Sequence, residues 1–475
     1  MFCLVTFVKT PFVCVQAVQT GWAKFVEYAL AGGSFLGEFI DISNDKAGGA
    51  TPMLSWRMQD RQFASHPLDG PVGFATLSQF WYEHANDSSY MVKPFNASAS
   101  VPSYTATMNW ANQEVVEYHR SLLLELLSQH NDTIGGVELD YERDPAFFKD
   151  AEPQQQRNAV MYEFVRAARA AVGSGRSVGL RVPSDETNLD SIGLPIRALS
   201  ELLQTGVVDY VTMGIGFFGF QPGVSDFAHV VSRIRNITAR GQILFEITSM
   251  LRYGCTPPAQ ALHSVRDRMP PLALVTAAHL AFTAGADGIA AFNFAYYRSF
   301  EGKTDIGHEP PFGVLASLRN RTWTATQPQL YFLSHAGNHT SHTPSSRMPQ
   351  KLSTCTSEPC ALSLEMAPPT NGWESDGVLR LNFVKSPWVY STSQECPSLD
   401  VAALARSMHV SVNGLKLHGV ANSPDTARWS SWPDASFASF LVPKATVKRG
   451  RNIVSLLATS PAAANLTLIH LELSV

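Results

Sequence analysis

Paired cysteine motifs are absent from this chain, which has only six cysteines in 475 residues. No two of them stand in a C-x-x-C arrangement, so a structural zinc site of the finger or ribbon type is not expected. Cys355 and Cys360 flank a short Thr-Ser-Glu-Pro loop and are placed to form a small disulfide, with Cys396 in the same region. The sequence predicts no cofactor.

Charge of either sign and long apolar runs are also scarce. Charged residues make up 16% of the chain and the net charge is -4, which gives nucleic acid or an anionic membrane no basic surface to bind. No apolar run approaches the roughly 20 residues that a membrane-spanning helix needs. We therefore expect neither nucleic acid nor membrane as a partner, and a globular fold of two domains.

A clear signal peptide is missing as well. Residues 1–18 are apolar, but Lys9 and Pro11 interrupt them, so the segment is either a degenerate signal peptide or, as we favour, an interior strand. Asn-x-Ser/Thr sequons nevertheless favour a secreted or endomembrane protein. The seven sequons begin at Asn86, Asn96, Asn131, Asn236, Asn320, Asn338 and Asn465.

Acidic and apolar residues alternate in the stretch from Ile134 to Pro145. In a β-strand this spacing puts Glu138, Asp140 and Glu142 on one face. Crowded acids repel one another and lose hydration, so folding alone does not favour the pattern, whereas a site that needs a proton donor or a base does. The alternatives are a solvated edge strand and a calcium or magnesium site. Since no D-x-D-x-D-G loop is present, we predict no metal.

Strand and helix patterns alternate between residues 52 and 294, which predicts a parallel sheet. The predicted strands are residues 52–58, 104–109, the Glu138 strand, 177–182, 207–213, 242–248 and 288–294, with a first strand within residues 1–20. The predicted helices are residues 35–42, 112–130, 155–172, 195–203, 226–237 and 272–284. This count favours an α/β fold, a closed (β/α)8 TIM barrel over residues 1–322, and an open doubly wound sheet is the alternative.

Polar residues stand at or just past several predicted strand ends, where such barrels place their active sites. The candidate catalytic residues are Glu138, Asp140, Glu246 and Asp60, with Glu142 as an alternative acid. The candidate substrate-binding residues are Arg57, Trp81, Arg181, Asn293 and Tyr296. Together they predict a pocket at this rim. Our hypothesis for it is a carbohydrate substrate that the arginines and Asn293 hold, with Trp81 or Tyr296 stacked on a sugar ring.

Glycoside hydrolysis needs two carboxyl groups that flank the scissile bond. Residues two apart on one strand line a single wall, so the partner of Glu138 is expected from another strand. Our hypothesis makes Glu138 the general acid, with a pKa raised by Asp140, and makes Glu246 or Asp60 the nucleophile or base.

The composition changes after Trp323. Residues 323–360 are rich in Ser, Thr, His and Pro, which predicts a linker. Residues 361–475 show short strand patterns with the Asn413-Gly414 hairpin turn and no long helix. They predict an all-β sandwich domain.

Three blocks resemble a family of largely uncharacterised glycoside-hydrolase-like barrel proteins. They are Ser55-Trp56-Arg57-Met58-Gln59-Asp60 with Phe80-Trp81-Tyr82-Glu83-His84, Gly136-Val137-Glu138-Leu139-Asp140, and Gly285-Ala286-Asp287-Gly288-Ile289 with Phe292-Asn293-Phe294. The resemblance covers about residues 33–300 and implies a (β/α)8 fold and carbohydrate chemistry. The tail is similar to galactose-binding-like sandwiches, through its hairpin and its Gly-Arg-Asn turn.

A second similarity is to the chitinase motif D-G-x-D-x-D-x-E. Gly135, Glu138, Asp140 and Glu142 stand at matching places, but the first aspartate is absent and the second is a glutamate. This similarity implies substrate-assisted hydrolysis, with Glu142 as acid and Asp140 polarising an acetamido group. A non-catalytic carbohydrate-binding protein on a degenerate barrel is the remaining alternative.

Overall fold

The structure is a computed structural model that describes residues 2–6, 11–17, 51–59, 79–84, 86–93, 107–130, 134–142, 146–214, 223–248, 250–252, 266–292, 311–334, 350–385, 401–420 and 437–475. Two compact units divide the chain. The barrel unit comprises Met1–Gly214, His229–Glu246 and Ala286–Phe292. The C-terminal unit comprises Ile215–Ala228, Ile247–Gly285 and Asn293–Val475.

Eight strands form a closed barrel, and their bounds are β1 Phe2–Thr6, β2 Pro11–Ala17, β3 Thr51–Arg57, β6 Gly136–Asp140, β7 Ser177–Pro183, β8 Tyr210–Gly214, β9 Gln242–Thr248 and β12 Gly288–Phe292. Their order around the barrel is β1-β12-β9-β8-β7-β6-β3-β2. Between β9 and β12 in the chain, β10 (Met250–Arg252) and β11 (Arg266–Arg268) pair with each other in a separate two-stranded sheet. Six successive strands, from β2 through β3, β6, β7 and β8 to β9, are paired in parallel. The prediction of a parallel sheet is confirmed for these six strands.

The first part of the barrel differs from the prediction. β1 and β2 both come from residues 1–20, and β1 runs antiparallel to both of its neighbours, β2 and β12. The predicted barrel strand at residues 104–109 is wrong, because β5 (Thr107–Met108) pairs with β4 (Met91–Lys93) in a separate two-stranded ribbon. Its backbone hydrogen bonds are therefore made outside the barrel sheet.

Helices follow the strands much as the apolar spacing predicts. The described helices before residue 300 are α1 Gln79–His84, α2 Gln113–His130, α3 Gln154–Val172, α4 Glu186–Ser191, α5 Ile196–Thr205, α6 Gly223–Arg235 and α7 Pro271–Thr283. Five of the six predicted helices correspond to α2, α3, α5, α6 and α7, and the sixth, at residues 35–42, lies outside the described residues. The short helix α4 was not predicted; Asp185 caps it by accepting a hydrogen bond from the Asn188 backbone N–H.

The central strand β6 has two chemically different faces. Val137 and Leu139 are fully buried on one face, while Glu138 and Asp140 lie on the other, because successive side chains alternate. Glu138 is in register with Ser55 of β3 and Asp140 with Arg181 of β7. Parallel pairing thus places polar side chains of neighbouring strands side by side.

Two aspartates make equivalent contacts at the N-terminal ends of the barrel strands. Asp209 precedes β8, accepts a hydrogen bond from the Val178 backbone N–H at 2.8 Å and pairs with Arg169 of α3. In the same way Asp287 precedes β12, accepts from the Ile243 N–H at 2.8 Å and pairs with Arg235 of α6. Each of these two aspartates therefore links the start of a strand to a helix.

The described part of the C-terminal unit contains a six-stranded and a four-stranded antiparallel sheet. The six-stranded sheet contains β13 Leu330–Ser334, β14 Gln350–Lys351, β16 Gly377–Lys385, β19 His418–Val420, β20 Phe437–Val442 and β22 Leu466–Ser474. The four-stranded sheet contains β15 Cys360–Met366, β17 Met408–Val412, β18 Leu415–Lys416 and β21 Gly450–Ala458. Antiparallel sheets were predicted for this part of the chain, and the sandwich type stays a prediction.

Much of the predicted linker is folded. α9 (Arg321–Thr326) and β13 lie within or across residues 323–360, and β13 pairs with β22 at the very end of the chain. Other short helices that the structure describes in this unit are α8 Phe312–Ser317, α10 Val401–Arg406 and α11 Pro461–Ala464. Sequence composition missed β13 because its partner strand lies more than a hundred residues away.

Two further expectations concern cysteines and membrane spans. Cys355 and Cys360 form a disulfide with their Cα atoms 5.2 Å apart, which confirms the predicted pair. Among the helices that the structure describes, none has the length and apolar character to span a bilayer.

The contact between Gly179 and Tyr210 gives a stability prediction. A Cβ atom on Gly179 would lie 2.0 Å from Cζ of Tyr210, which is directly opposite on β8. We expect Gly179→Ala to lower the free energy of unfolding by ~1–3 kcal/mol, because the buried ring must move. Urea denaturation measures the change. Gly175→Ala is the control, since no atom lies within 4 Å of its Cβ position, and equal midpoints for the two variants would contradict the prediction.

Candidate active site

One buried arginine binds two of the predicted acids. Arg181 of β7 donates from Nη1 to Oδ1 of Asp140 at 2.7 Å and from Nη2 to Oε1 of Glu246 at 2.8 Å, and its Nε also donates to Glu246. The three residues are 1–2% exposed. The guanidinium is thus bidentate on Glu246, the strongest geometry for an arginine and a carboxylate. We call Glu138, Asp140, Glu142 and Glu246, with Arg181, the carboxyl cluster.

Glu138 lies deepest in the carboxyl cluster. It is 0% exposed, and Thr212 Oγ1 donates a hydrogen bond to its Oε2 at 3.1 Å while Ser55 Oγ lies 3.5 Å from Oε1. Burial, and then the charge of Asp140, raise the pKa of Glu138 to about 7. We predicted Asp140 as the cause of this shift, but burial is the larger cause because the ionised form loses its hydration.

Glu142 stands just past the C-terminal end of β6. Its backbone N–H donates to Asp140 Oδ1 at 3.0 Å. The residue is half-buried, but its Oε2 atom is buried and has no hydrogen-bond partner among the residues that the structure describes. Burial raises the pKa of Glu142 to about 8, against the charge of Arg181 and together with that of Glu246. Glu142 therefore holds a proton at neutral pH.

A glycine leaves room for two of these carboxyl groups. A Cβ atom on Gly214, the last residue of β8, would lie 3.0 Å from Cδ of Glu142 and 3.2 Å from Oε1 of Glu246. Both carboxyl groups therefore flank the same point at the C-terminal end of the strand. Chemically, a protonated carboxyl group and an arginine-bound carboxylate stand next to each other there.

The structure brings together five of the residues that the sequence singled out. Glu138, Asp140, Glu142, Arg181 and Glu246 form the carboxyl cluster. Their common location follows from the parallel register of β6, β7, β8 and β9. The Arg181 guanidinium donates to Asp140 and Glu246, and its predicted contact with the substrate stays a prediction.

The other predicted site residues fall at or beyond the edge of the described structure. Arg57 is the last residue of β3 and Trp81 lies in α1. Asp60, Asn293 and Tyr296 lie outside the described residues. Their predicted roles stay predictions.

Sequence reasoning missed Ser55, Thr212 and Gly214. Each occupies an inward position of a strand whose alternate residues are apolar, and that period-two pattern was the signal that could have found them. The distances of these residues to the acids depend on pairing between strands, which the sequence does not display.

A metal was one alternative for the acidic stretch. In the part of the chain that the structure describes, no group of three or more His, Cys, Asp or Glu side chains is arranged to hold a metal ion. The Arg181 guanidinium lies between Asp140 and Glu246, where it already supplies a positive charge to both carboxylates.

A surface cavity of about 370 Å³ lies elsewhere in the barrel unit, between α3 and α5. Tyr162, Glu163 and Glu201 are among its lining residues, and none of the carboxyl cluster is. The cavity therefore does not bear on the chemistry of these acids.

The sequence matches no protein-family model, and no curated protein is significantly similar to it. A comparison with solved structures finds low similarity to a spore cortex-lytic enzyme, a chitinase domain and a xylanase, among others. The Bacillus cereus spore cortex-lytic enzyme SleL is 11% identical over 44% of this chain and 39% of its own, with a TM-score of 0.25. Catalytic domain 2 of the Ostrinia furnacalis Group II chitinase is 13% identical over 46% of this chain and 53% of its own, with a TM-score of 0.27.

A thermostable xylanase mutant from Cellvibrio japonicus is 12% identical over 55% of this chain and 72% of its own, with a TM-score of 0.29. This chain thus spans less than two thirds of the first two proteins. TM-scores this low assign neither a family nor an activity to it. The chemistry rests on the carboxyl cluster itself.

The raised pKa of Glu138 predicts a pH-dependent stability. Its carboxyl group has a pKa of about 7 in the folded protein and an ordinary value of 4.5. The contribution of this group to the free energy of unfolding is therefore fully present below pH 4.5 and is lost as the pH rises through 7. Glu138→Gln removes this loss. The variant should gain ~3 kcal/mol on the wild type between about pH 4.5 and about pH 8, measured by urea denaturation at each pH.

The control for this experiment is Glu163→Gln, whose side chain is 68% exposed on α3. Its stability difference from the wild type is expected to stay small at both pH values. If the Glu138→Gln and wild-type stability curves ran parallel across this pH range, Glu138 would not be a protonated buried acid.

Loss of the arginine should be costly. Arg181→Met leaves the buried Asp140 and Glu246 carboxylates without the guanidinium, so we expect the free energy of unfolding at pH 7 to fall by ~3–5 kcal/mol. Chemical denaturation at pH 7 checks this.

The matched control is Arg233→Met, which removes a half-exposed arginine that pairs with Glu186 on the surface. It should cost ~1 kcal/mol or less. Equal losses for the two arginine variants would contradict a buried ion network around Arg181.

Proposed function

We propose that this protein is a glycoside hydrolase that acts on a poly- or oligosaccharide by carboxylate acid/base catalysis. One observation carries the proposal: the Glu142 carboxyl group, with a pKa of about 8, flanks Gly214 together with Glu246, a carboxylate bound by Arg181. A protonated carboxyl beside an ionised one is the pair that glycoside hydrolysis requires.

Within this proposal the geometry favours Glu142 over Glu138 as the proton donor. Glu138 is fully buried, and the hydroxyl of Thr212 already donates to its carboxyl group. Glu142 lies past the end of β6, on the rim where barrels of this kind bind substrates. Glu138 then acts as a neutral support beneath Asp140, and Asp140 positions Glu142 by accepting its backbone N–H.

Glu246 is the proposed partner of Glu142. The two groups lie about 3 Å from one shared point, which favours the short carboxyl separation of ~5–5.5 Å that is typical of retaining enzymes. Glu142 gives its proton to the glycosidic oxygen as the bond to the anomeric carbon breaks, and a Glu246 oxygen forms the new bond to that carbon. Water then cleaves this ester while Glu142 takes a proton back. Asp60 stays the alternative partner from the sequence.

One observation bears on each of the two alternative functions. Substrate-assisted, chitinase-like hydrolysis would use Asp140 against an acetamido group, but Oδ1 of Asp140 already accepts hydrogen bonds from Arg181 and from the Glu142 N–H. A non-catalytic carbohydrate-binding barrel is favoured by the bidentate contact of Arg181 with Glu246, since both carboxylate oxygens accept from it.

For the fold we propose a (β/α)8 barrel with one reversed strand, followed by a galactose-binding-like sandwich that assists glycan binding. The closed order of eight strands supports the first part. The two antiparallel sheets of the C-terminal unit support the second. The domain limits 1–322 and 361–475 remain predictions.

An array of algal and bacterial polysaccharides, read out by reducing-end release, tests the proposed activity. With a substrate in hand, Glu142→Gln should lower kcat by ~10²–10⁴-fold, because the proton donor is lost. Glu138→Gln should keep most of the turnover, and Glu163→Gln on the surface of α3 should keep all of it.

The alternatives give different results in the same assay. Cleavage restricted to N-acetylated glycans, and abolished by Asp140→Asn, supports the substrate-assisted reaction. Glycan binding without release of any reducing end supports the non-catalytic barrel. If Glu142→Gln were fully active and Glu138→Gln inactive, the proton donor would be Glu138 instead of Glu142.

A further inference from the structure

Four of the sequon asparagines lie in the described parts of the chain, and every one of them is exposed. They are Asn86, Asn236, Asn320 and Asn465. They sit in a turn before β4, just past the end of α6, at the start of α9 and between α11 and β22. The other three sequons fall outside the described residues. Exposure at all four positions goes beyond what the sequons show, because an Asn-x-Ser/Thr triplet can equally be buried by folding.

We propose that these four asparagines carry N-linked oligosaccharides. In the reaction the asparagine Nδ2 forms a bond to the anomeric carbon of an oligosaccharide carried on a polyprenyl diphosphate and loses one proton. The anomeric carbon–oxygen bond to the diphosphate breaks, and the polyprenyl diphosphate leaves. The Cys355–Cys360 disulfide is an independent sign of the oxidising compartment in which this reaction takes place.

The four sites differ in the hydroxyl group that completes each sequon. Ser88 and Thr322, which complete the sequons of Asn86 and Asn320, are exposed. A transferring enzyme can therefore reach both the asparagine and the hydroxyl residue of the folded protein at these two sites. We call Asn86 and Asn320 the open sequons.

The other two sequons have buried hydroxyl residues. Thr238, in the sequon of Asn236, is 6% exposed, and its Oγ1 accepts a hydrogen bond from the Arg240 backbone N–H at 3.0 Å. Thr467, in the sequon of Asn465, is 0% exposed and pairs with Lys351 inside the six-stranded sheet. Because the hydroxyl residue is part of the recognised triplet, these closed sequons are modified only before the chain folds.

Sugar attachment is compatible with the structure at the sites where contacts are known. Asn320 caps α9 through Oδ1, which accepts from the Trp323 N–H at 3.0 Å. The sugar is linked to Nδ2 and leaves this carbonyl oxygen in place, so the cap survives modification. At Asn236 a glycan would cover the neighbouring Ile237, which is 48% exposed.

Mass spectrometry of the protein purified from its native source tests the proposal. Enzymatic release of N-glycans in ¹⁸O-water converts each modified asparagine into a labelled aspartate, and we expect the label at Asn86, Asn236, Asn320 and Asn465. Unlabelled asparagine at all four positions would overturn the proposal.

A second experiment tests the division into open and closed sequons. The full chain, made without glycans and folded, is incubated with a purified oligosaccharyltransferase and a polyprenyl-diphosphate oligosaccharide. Asn86 and Asn320 should be modified at least tenfold more than Asn236 and Asn465, and unfolding in urea followed by dilution into the assay should remove the difference. Equal modification of all four sites in the folded chain would contradict the division.

Thr322→Ala provides the matched control at Asn320. It removes the sequon and keeps the Asn320 cap, so it should abolish modification there while the melting temperature stays within a degree or so of the wild type. Asn320→Asp likewise keeps a capping oxygen and removes the acceptor nitrogen. Continued modification of Asn320 in the Thr322→Ala variant would show that the triplet is not what the enzyme reads.

Discussion

The charge of Arg181 is the constraint on which the rest of the site depends. One buried cation faces Asp140 and Glu246, so the ion network already carries one net negative charge when both are ionised. Further ionisation of the carboxyl cluster would place additional uncompensated charge in a site removed from water. Glu138 and Glu142 therefore keep their protons to a higher pH than exposed glutamates do. Arg181 thus pairs with Asp140 and Glu246, while burial raises the pKa of Glu138 and of Glu142 against the charge of the same arginine.

The two ends of the barrel strands have different tasks. At the N-terminal ends, Asp209 and Asp287 join strand starts to helix arginines, which stabilises the alternating strand–helix order. At the C-terminal ends, the carboxyl cluster brings buried acidic groups close together, which lowers the stability of the folded protein. This division agrees with the general behaviour of parallel barrels, in which one end serves stability and the other serves chemistry.

Local patterns predicted a large part of the fold. Period-two alternation identified the acidic face of β6, and helical spacing identified α2, α3, α5, α6 and α7, because these patterns come from burial of one face of a single element. The predictions failed where pairing is remote. Thr107–Met108 is a strand as predicted, but it pairs with β4 outside the barrel. β13 lies in the segment predicted as a linker, but it pairs with the last strand of the chain.

The sequence by itself determined which side chains share a face of β6, since alternation is a property of any extended strand. It also determined that the acids stand near strand ends, and which asparagines are sequons. Only the tertiary structure decided that Arg181 binds Asp140 and Glu246, that Gly214 leaves room for Glu142, and which sequon hydroxyls are buried. These facts depend on the register between strands far apart in the chain, and register is set by the packing of the whole barrel and of the whole sheet.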